Sequence, residues 1–177
     1  MSSNKISTKK LVFLSLMVGY SLILYIIETF IPNPMMVMFP GAKLGLSNII
    51  TLVCLMTIGL KDTFIVLSVR IIISSIFAGP MSYFLFSIAG GYLSLAVMYI
   101  ISRIKGFSII GISISGALAH NIGQLLVASF IIKNLMMVSY LPFMLVASIA
   151  TGVFVGIVSK FMIPYTNRII DNKNPAK

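Results

Sequence analysis

Acidic side chains are almost absent from this sequence, which holds only Glu28, Asp62 and Asp171 among 177 residues. They lie far apart, so no aspartate-rich motif is available to hold magnesium against a diphosphate. The sequence also lacks any cluster of cysteine, histidine and carboxylate residues with metal-ligand spacing, and any Gly-x4-Gly-Lys-Ser/Thr loop for ATP. We therefore expect a chain that is not an enzyme and binds no metal and no cofactor.

Charged residues of both signs are scarce as well, at 9% of the chain against 59% hydrophobic residues and a mean hydropathy of +1.10. An ordinary soluble domain is about 25% charged, and a helix needs roughly 20 mostly apolar residues to cross a bilayer. The sequence predicts an all-α membrane protein with six transmembrane helices. We place them at 11–31, 45–60, 62–79, 81–102, 108–132 and 138–163, in one transmembrane domain over 1–177 with tails at 1–10 and 164–177.

The net charge of +10 does not indicate nucleic acid, because lysine and arginine gather at the cytoplasmic ends of membrane helices. With the N-terminus inside, the cytoplasmic segments hold ten basic residues and the outer segments hold two, Lys43 and Lys133. This bias predicts that both termini are cytoplasmic, which requires an even number of crossings. The lone cysteine, Cys54, excludes a disulfide within the chain.

The outer segment 32–44 joins the first two predicted helices and is apolar and rich in methionine. Methionine adapts to surfaces that repack, so we interpret this segment as a candidate lid over the helices. An interfacial loop without a gating role is the alternative.

Ionisable and polar residues within membrane helices are costly and mark functional sites by default. Arg70 lies near the middle of the third predicted helix, where it must meet a ligand or form a buried bridge, for example with Glu28. Glu28 itself ends the first helix, where it either contacts a ligand or snorkels to water. The sequence leaves these alternatives open.

The fifth predicted helix carries a polar face of small and amide side chains. Its members recur at spacings of three and four, which places them on one side of a helix: Ser113, Gly116, Ala117, His120, Gly123 and Gln124, with Asn121 beside them. Such a face either binds substrate or packs against a neighbouring helix. The fourth and sixth predicted helices each carry a row of small residues, which we call a small-residue seam and which favours close packing against a neighbouring helix. The fourth-helix seam is Ser87, Gly90, Gly91 and Ser94, and the sixth-helix seam is Ser148, Gly152 and Gly156.

Three segments, in order, resemble the signatures of the Gx transporter family, which is also labelled heptaprenyl diphosphate synthase component I. They are Pro40-Gly41-Ala42-Lys43-Leu44-Gly45-Leu46-Ser47-Asn48-Ile49, then Ser87-Ile88-Ala89-Gly90-Gly91-Tyr92-Leu93-Ser94, and Ala119-His120-Asn121-Ile122-Gly123-Gln124. The family is similar in size and topology to the S components of energy-coupling factor (ECF) importers. The resemblance implies an S-component-like bundle that crosses the bacterial plasma membrane several times.

The resemblance also implies a function and partners. An S component captures a vitamin-like or related small molecule from outside, while a transmembrane scaffold and ATPase subunits supply the energy. In this chain the expected substrate contacts are Arg70, His120, Asn121 and Gln124, with Asn48 and Lys43 at the mouth. Arg70, Lys43 and Lys133 suggest an anionic ligand, and isoprenoid, flavin or quinone-related molecules are further candidates.

Ser15 and Gly19 on the first helix correspond to the small-residue motif with which S components dock on the scaffold, although alanines are typical there. A second interpretation stays open: a non-transporting membrane subunit associated with prenyl-diphosphate or quinone synthesis, or with flavin-linked electron transfer.

Overall fold

The computed structural model describes residues 8–31, 44–77, 81–133 and 139–171. These ranges hold six α-helices and no strand: α1 (Thr8–Phe30), α2 (Asn48–Thr57), α3 (Leu60–Phe77), α4 (Met81–Ser102), α5 (Ile109–Ile132) and α6 (Leu141–Asp171). The predicted all-helical class is confirmed. The candidate lid at 32–44 lies outside the described residues except for Leu44.

Four of the helices, α1, α4, α5 and α6, are long and apolar enough to cross a membrane. The third helix has 18 residues but carries Lys61, Asp62 and Arg70. The second has only 10 residues, about 15 Å of helix against a hydrocarbon core of about 30 Å. The predicted second span, 45–60, is therefore wrong in length, because hydropathy does not distinguish the buried turn at 44–47 from the helix that follows.

The last helix is longer than predicted. It runs for 31 residues to Asp171 and contains Pro164, whereas we expected the helix to end at 163 and a tail to follow. Proline removes one backbone hydrogen bond from a helix interior, but here it lies on an exposed side of α6 and the helix continues past it. About 46 Å of helix results, more than a bilayer core needs.

The short helix α2 occupies the centre of the fold and contacts α1, α3, α4 and α6. All residues from Asn48 to Leu55 are buried. Its side chains contribute to two hydrophobic clusters, one with α1, α3 and α6 and the other with α3, α4 and α5. The α2 members of these clusters are Ile49, Ile50, Val53 and Cys54 in the first, and Leu52 and Leu55 in the second.

Glycines allow α4, α5 and α6 to pack closely in antiparallel order. A Cβ atom at Gly123 of α5 would lie 2.7 Å from the Ala89 carbonyl oxygen of α4, and one at Gly152 of α6 would lie 2.6 Å from the Ile114 Cα of α5. The small-residue seams predicted on these helices are confirmed as packing surfaces. Backbone contact of this kind is a common way for membrane helices to associate.

The helices define two ends of the bundle. At one end, which we call the basic end, α1, α3 and α5 begin and α2, α4 and α6 finish. Lys10 Nζ of α1 lies 2.8 Å from Asp62 Oδ1 of α3 there. The end also carries Lys9, Lys61, Arg103, Lys105 and Arg168. At the opposite end α1 finishes and α2 begins.

A methyl group at Gly152 tests the close approach of α5 and α6. We expect Gly152→Ala to destabilise the detergent-solubilised chain by about 1–3 kcal/mol, because the backbone of α5 must move to admit the Cβ atom. Thermal unfolding measures the change. Gly19→Ala is the matched control, since no atom lies within 4 Å of a Cβ atom at Gly19. Equal unfolding midpoints for the two variants would contradict the packing described.

Candidate functional site

The carboxylate of Glu28 joins the end of α1 to the start of α2. Its Oε1 accepts a hydrogen bond from the Gly45 N–H at 2.6 Å and its Oε2 accepts one from the Leu46 N–H at 3.1 Å. Glu28 is only 4% exposed. Of the alternatives left open for Glu28, snorkelling to water does not apply: the side chain is a buried acceptor for backbone N–H groups that precede α2.

The turn that Glu28 holds requires a glycine. Gly45 has φ +84°, a left-handed conformation that costs other residues energy. A Cβ atom at this position would also lie 3.0 Å from Asn48 Nδ2 and 3.5 Å from the His120 ring. The turn thus brings the first residue of α2 next to the middle of α5.

Arg70 is buried among α1, α3 and α4, with 2% of its surface exposed. Its guanidinium carbon lies 5.9 Å from the centre of the Tyr25 ring, close enough for a cation–π interaction. The hydroxyls of Ser87 and Ser74 lie close enough to the Tyr25 side chain to interact with it. The negative charge of Glu28 also acts on the guanidinium.

Two groups in this region lack hydrogen-bond partners in the part of the chain that the structure describes. They are the Nε and Nη2 atoms of Arg70 and the Oδ1 atom of Asn48, all of them buried. Buried polar groups without partners are rare and costly. Two of the guanidinium nitrogens of Arg70 therefore find no acceptor in the described part of the chain.

His120 and Gln124 form one pair on α5. Gln124 Nε2 and His120 Nε2 are 3.0 Å apart, and both side chains are buried. Gly90 of α4 makes room for the imidazole, since a Cβ atom there would lie 2.9 Å from the ring. The predicted polar face of α5 therefore faces α4 and the Gly45 turn.

Asn121 serves a different contact. Its Nδ2 donates a 2.6 Å hydrogen bond to Ser148 Oγ of α6, and the Ser148 hydroxyl donates to the Met144 carbonyl oxygen. Successive helix residues point about 100° apart, so Asn121 faces α6 while His120 faces α4. Asn121 connects two helices and is separated from the other predicted contacts.

Asn48, Arg70 and His120 lie at a similar depth in the bundle. Asn48 and Arg70 are each eleven positions from Gly59, which joins α2 to α3, and His120 is eleven positions from the start of α5. At 1.5 Å per residue, each of these three lies about 16 Å from the basic end. We call the group made of Tyr25, Glu28, Asn48, Arg70, His120 and Gln124 the polar layer.

Among the predicted site residues, the structure brings Asn48 next to His120 and His120 next to Gln124. Arg70 is linked to them indirectly: the charge of Glu28 acts on Arg70, and Glu28 accepts a hydrogen bond from Gly45 in the turn beside Asn48. Lys43 lies outside the described residues. Ser15 is exposed on α1 and Gly19 has open space beside it, so both remain on the outer surface of the bundle.

Sequence reasoning missed Tyr25 and did not foresee that Glu28 accepts hydrogen bonds from the turn before α2. A signal was available, because Ser21, Tyr25 and Glu28 recur at spacings of four and three and share one face of α1. All three are buried. A polar stripe within an otherwise apolar span predicts contact with protein rather than lipid.

The described residues contain no group of three or more histidine, cysteine, aspartate or glutamate side chains that could hold a metal ion. The polar layer offers hydrogen-bond donors and acceptors and one guanidinium instead. Such an arrangement can bind a polar solute without a metal.

Comparison with known proteins gives one match. The family model described as heptaprenyl diphosphate synthase component I matches residues 17–162. This chain belongs to the heptaprenyl diphosphate synthase component I family. The matched range includes the whole polar layer, whereas Ser15 precedes it. No curated protein and no solved structure matches the chain.

The Glu28 contacts give a direct prediction for this member of the family. We expect Glu28→Gln to weaken the turn before α2 by about 1–3 kcal/mol, because the amide provides one acceptor oxygen where the carboxylate provides two. Hydrogen exchange over residues 44–50 should accelerate. Thr29→Ala is the control, since the Thr29 hydroxyl is exposed and bonds within α1. Unchanged exchange in Glu28→Gln would show that the carboxylate does not hold the turn.

Proposed function

We propose that this chain is the substrate-binding membrane subunit of an ECF-type importer and captures a small molecule from outside the cell. The observation that carries the proposal is the polar layer, a buried set of hydrogen-bonding groups within an apolar helical bundle. Ionisable side chains at such depth are expensive to maintain and mark solute sites in membrane proteins. Vitamin-like, isoprenoid, flavin or quinone-related molecules are the candidate ligands.

The proposed topology has six crossings in a single domain, with both termini in the cytoplasm and the chain in the bacterial plasma membrane. The basic end faces the cytoplasm, in agreement with the positive-inside rule. The opposite end, where α1 finishes and α2 begins, then faces outward and admits the solute. In this proposal α3 completes the bundle beside the four longer apolar helices, and α2 lies inside it.

The exposed face of α1 supports a partner at the lipid side of the bundle. Ser15 is exposed and a Cβ atom at Gly19 would meet nothing within 4 Å. Large apolar residues surround them on the same helix: Leu11, Val12, Leu16, Tyr20, Ile23, Ile26 and Ile27. Small residues on such a face let another helix approach closely. We assign this face to the transmembrane scaffold, whose ATPase subunits would supply the energy while this chain performs no catalysis.

A second function is favoured by the family name, which describes one component of heptaprenyl diphosphate synthase. In that case the chain would be a non-transporting membrane subunit that assists a second component in prenyl-diphosphate or quinone synthesis, or an electron-transfer assembly that uses flavin. The polar layer would then hold a lipid precursor or stabilise the bundle. The two proposals differ in the partners they require.

Replacement of the polar layer tests solute capture. We expect Arg70→Ala and His120→Ala each to lower solute binding and uptake about ten-fold or more, since each removes a buried hydrogen-bonding group. Native mass spectrometry of the purified chain and uptake by cells provide the measurements. Ser75→Ala is the control, because the Ser75 hydroxyl bonds to the Ile72 carbonyl of its own helix. Full binding and uptake in the double variant would refute this site.

Added bulk on α1 tests the partner surface. We expect Gly19→Leu to reduce recovery of a scaffold and P-loop ATPases several-fold when the chain is purified from its native membrane, because the leucine separates the two helices. Ala96→Leu on the exposed face of α4 is the matched control. Co-purification of prenyltransferase or redox proteins in place of ATPases would reject the importer and favour the second function.

A further inference from the structure

The guanidinium of Arg70 has an unused edge with a specific shape. The Nε and Nη2 atoms of an arginine lie on the same side of the planar group, and their N–H bonds run parallel. This fork matches the two oxygens of a carboxylate or phosphate. In Arg70 both atoms of the fork are buried and neither makes a hydrogen bond within the described ranges.

The neighbours of Arg70 do not satisfy this edge. Tyr25 interacts through the face of its ring, at 5.9 Å from the guanidinium carbon, and a ring face offers no pair of oxygen acceptors. The Glu28 oxygens accept hydrogen bonds from Gly45 and Leu46 and influence Arg70 through charge. A buried cation whose donors lack acceptors raises the energy of the fold, and a bound oxyanion would remove that cost.

We propose that the solute of the polar layer carries a carboxylate or phosphate group, which binds side-on to Nε and Nη2 of Arg70. This inference rests on the proposed capture function and adds the substrate class. Asn48 Oδ1 is a buried acceptor without a hydrogen bond in the described part of the chain. It accepts an N–H or O–H group of the same solute. The ligand is thus an oxyanion that also bears a hydrogen-bond donor.

Glu28 limits the charge of this ligand. Its carboxylate already places one negative charge in the polar layer, where the low dielectric strengthens repulsion between like charges. A monoanion therefore binds Arg70 at lower cost than a dianion. The geometry favours a carboxylate over a fully ionised phosphate monoester.

The first test identifies what the protein retains. The full chain, solubilised in mild detergent, is purified as wild type, Arg70→Lys, Arg70→Gln and Ser75→Ala, and the small molecules extracted from each are compared by mass spectrometry. We expect wild type and Ser75→Ala to retain a carboxylate or phosphate compound. Recovery should fall about ten-fold or more in Arg70→Gln and also in Arg70→Lys, which keeps the charge but loses the fork.

The second test uses defined probes on the same four proteins. We expect millimolar benzoate or inorganic phosphate to raise the thermal unfolding midpoint of wild type and Ser75→Ala, but not of Arg70→Gln. Benzamide, which has the shape of benzoate without its charge, should have no effect. A larger shift with benzoate than with phosphate would agree with the charge limit set by Glu28. Monodisperse elution and cooperative unfolding of each variant without probe verify that it is folded.

The outcomes separate the two proposals. A retained compound without an acidic group, or an acidic one retained equally by Arg70→Gln, overturns the oxyanion inference and leaves solute capture standing. If the wild-type protein retains no compound, the result counts against the proposed capture function. The oxyanion inference is then decided by the benzoate and phosphate measurements alone. A benzoate or phosphate shift lost in Arg70→Gln supports it, and the absence of any shift in wild type rejects it.

Discussion

The carboxylate of Glu28 is the contact on which the interior of the bundle depends. Backbone N–H groups away from water must find acceptors, and the turn before α2 places two of them, from Gly45 and Leu46, deep in the protein. Glu28 satisfies both. Because the donors belong to consecutive residues, the carboxylate fixes the direction from which the chain enters α2 as well as its position.

The central place of α2 follows from that contact. A helix of 10 residues is too short to be stable alone in water, and here its stability comes from side chains buried against α1, α3, α4 and α6. Ser159 of α6 reaches its backbone through a hydrogen bond to the Ile49 carbonyl at 3.4 Å. The longer helices thus enclose a short element whose polar first turn faces the layer that contains Arg70 and His120.

Sequence patterns predicted the helical class and several helix boundaries well. Long apolar runs, and the glycine and charged residues that interrupt them, are local signals. The predicted span 81–102 coincides with α4. The length of α2 and the role of Glu28 were not predictable in this way. The hydrogen bonds of Glu28 join residues 17 and 18 positions apart, and hydropathy carries no information about such pairs. Asn121 was grouped with His120 because they are adjacent, although the helix turns them toward different neighbours.

The two charged residues of the polar layer, Glu28 and Arg70, differ in how far the fold satisfies their hydrogen-bonding groups. Glu28 has backbone donors for both of its oxygens, so its charge is stabilised by the fold itself. Arg70 has an aromatic face beside it and the charge of Glu28 acting on it, but among the described residues it has no acceptor for the fork of Nε and Nη2. A solvated surface arginine would satisfy its donors with water, and a purely structural one with carbonyl or carboxylate oxygens. The fold therefore supplies donors to both oxygens of Glu28 but leaves two donors of Arg70 without acceptors, and these are the donors that the proposed oxyanion would bind.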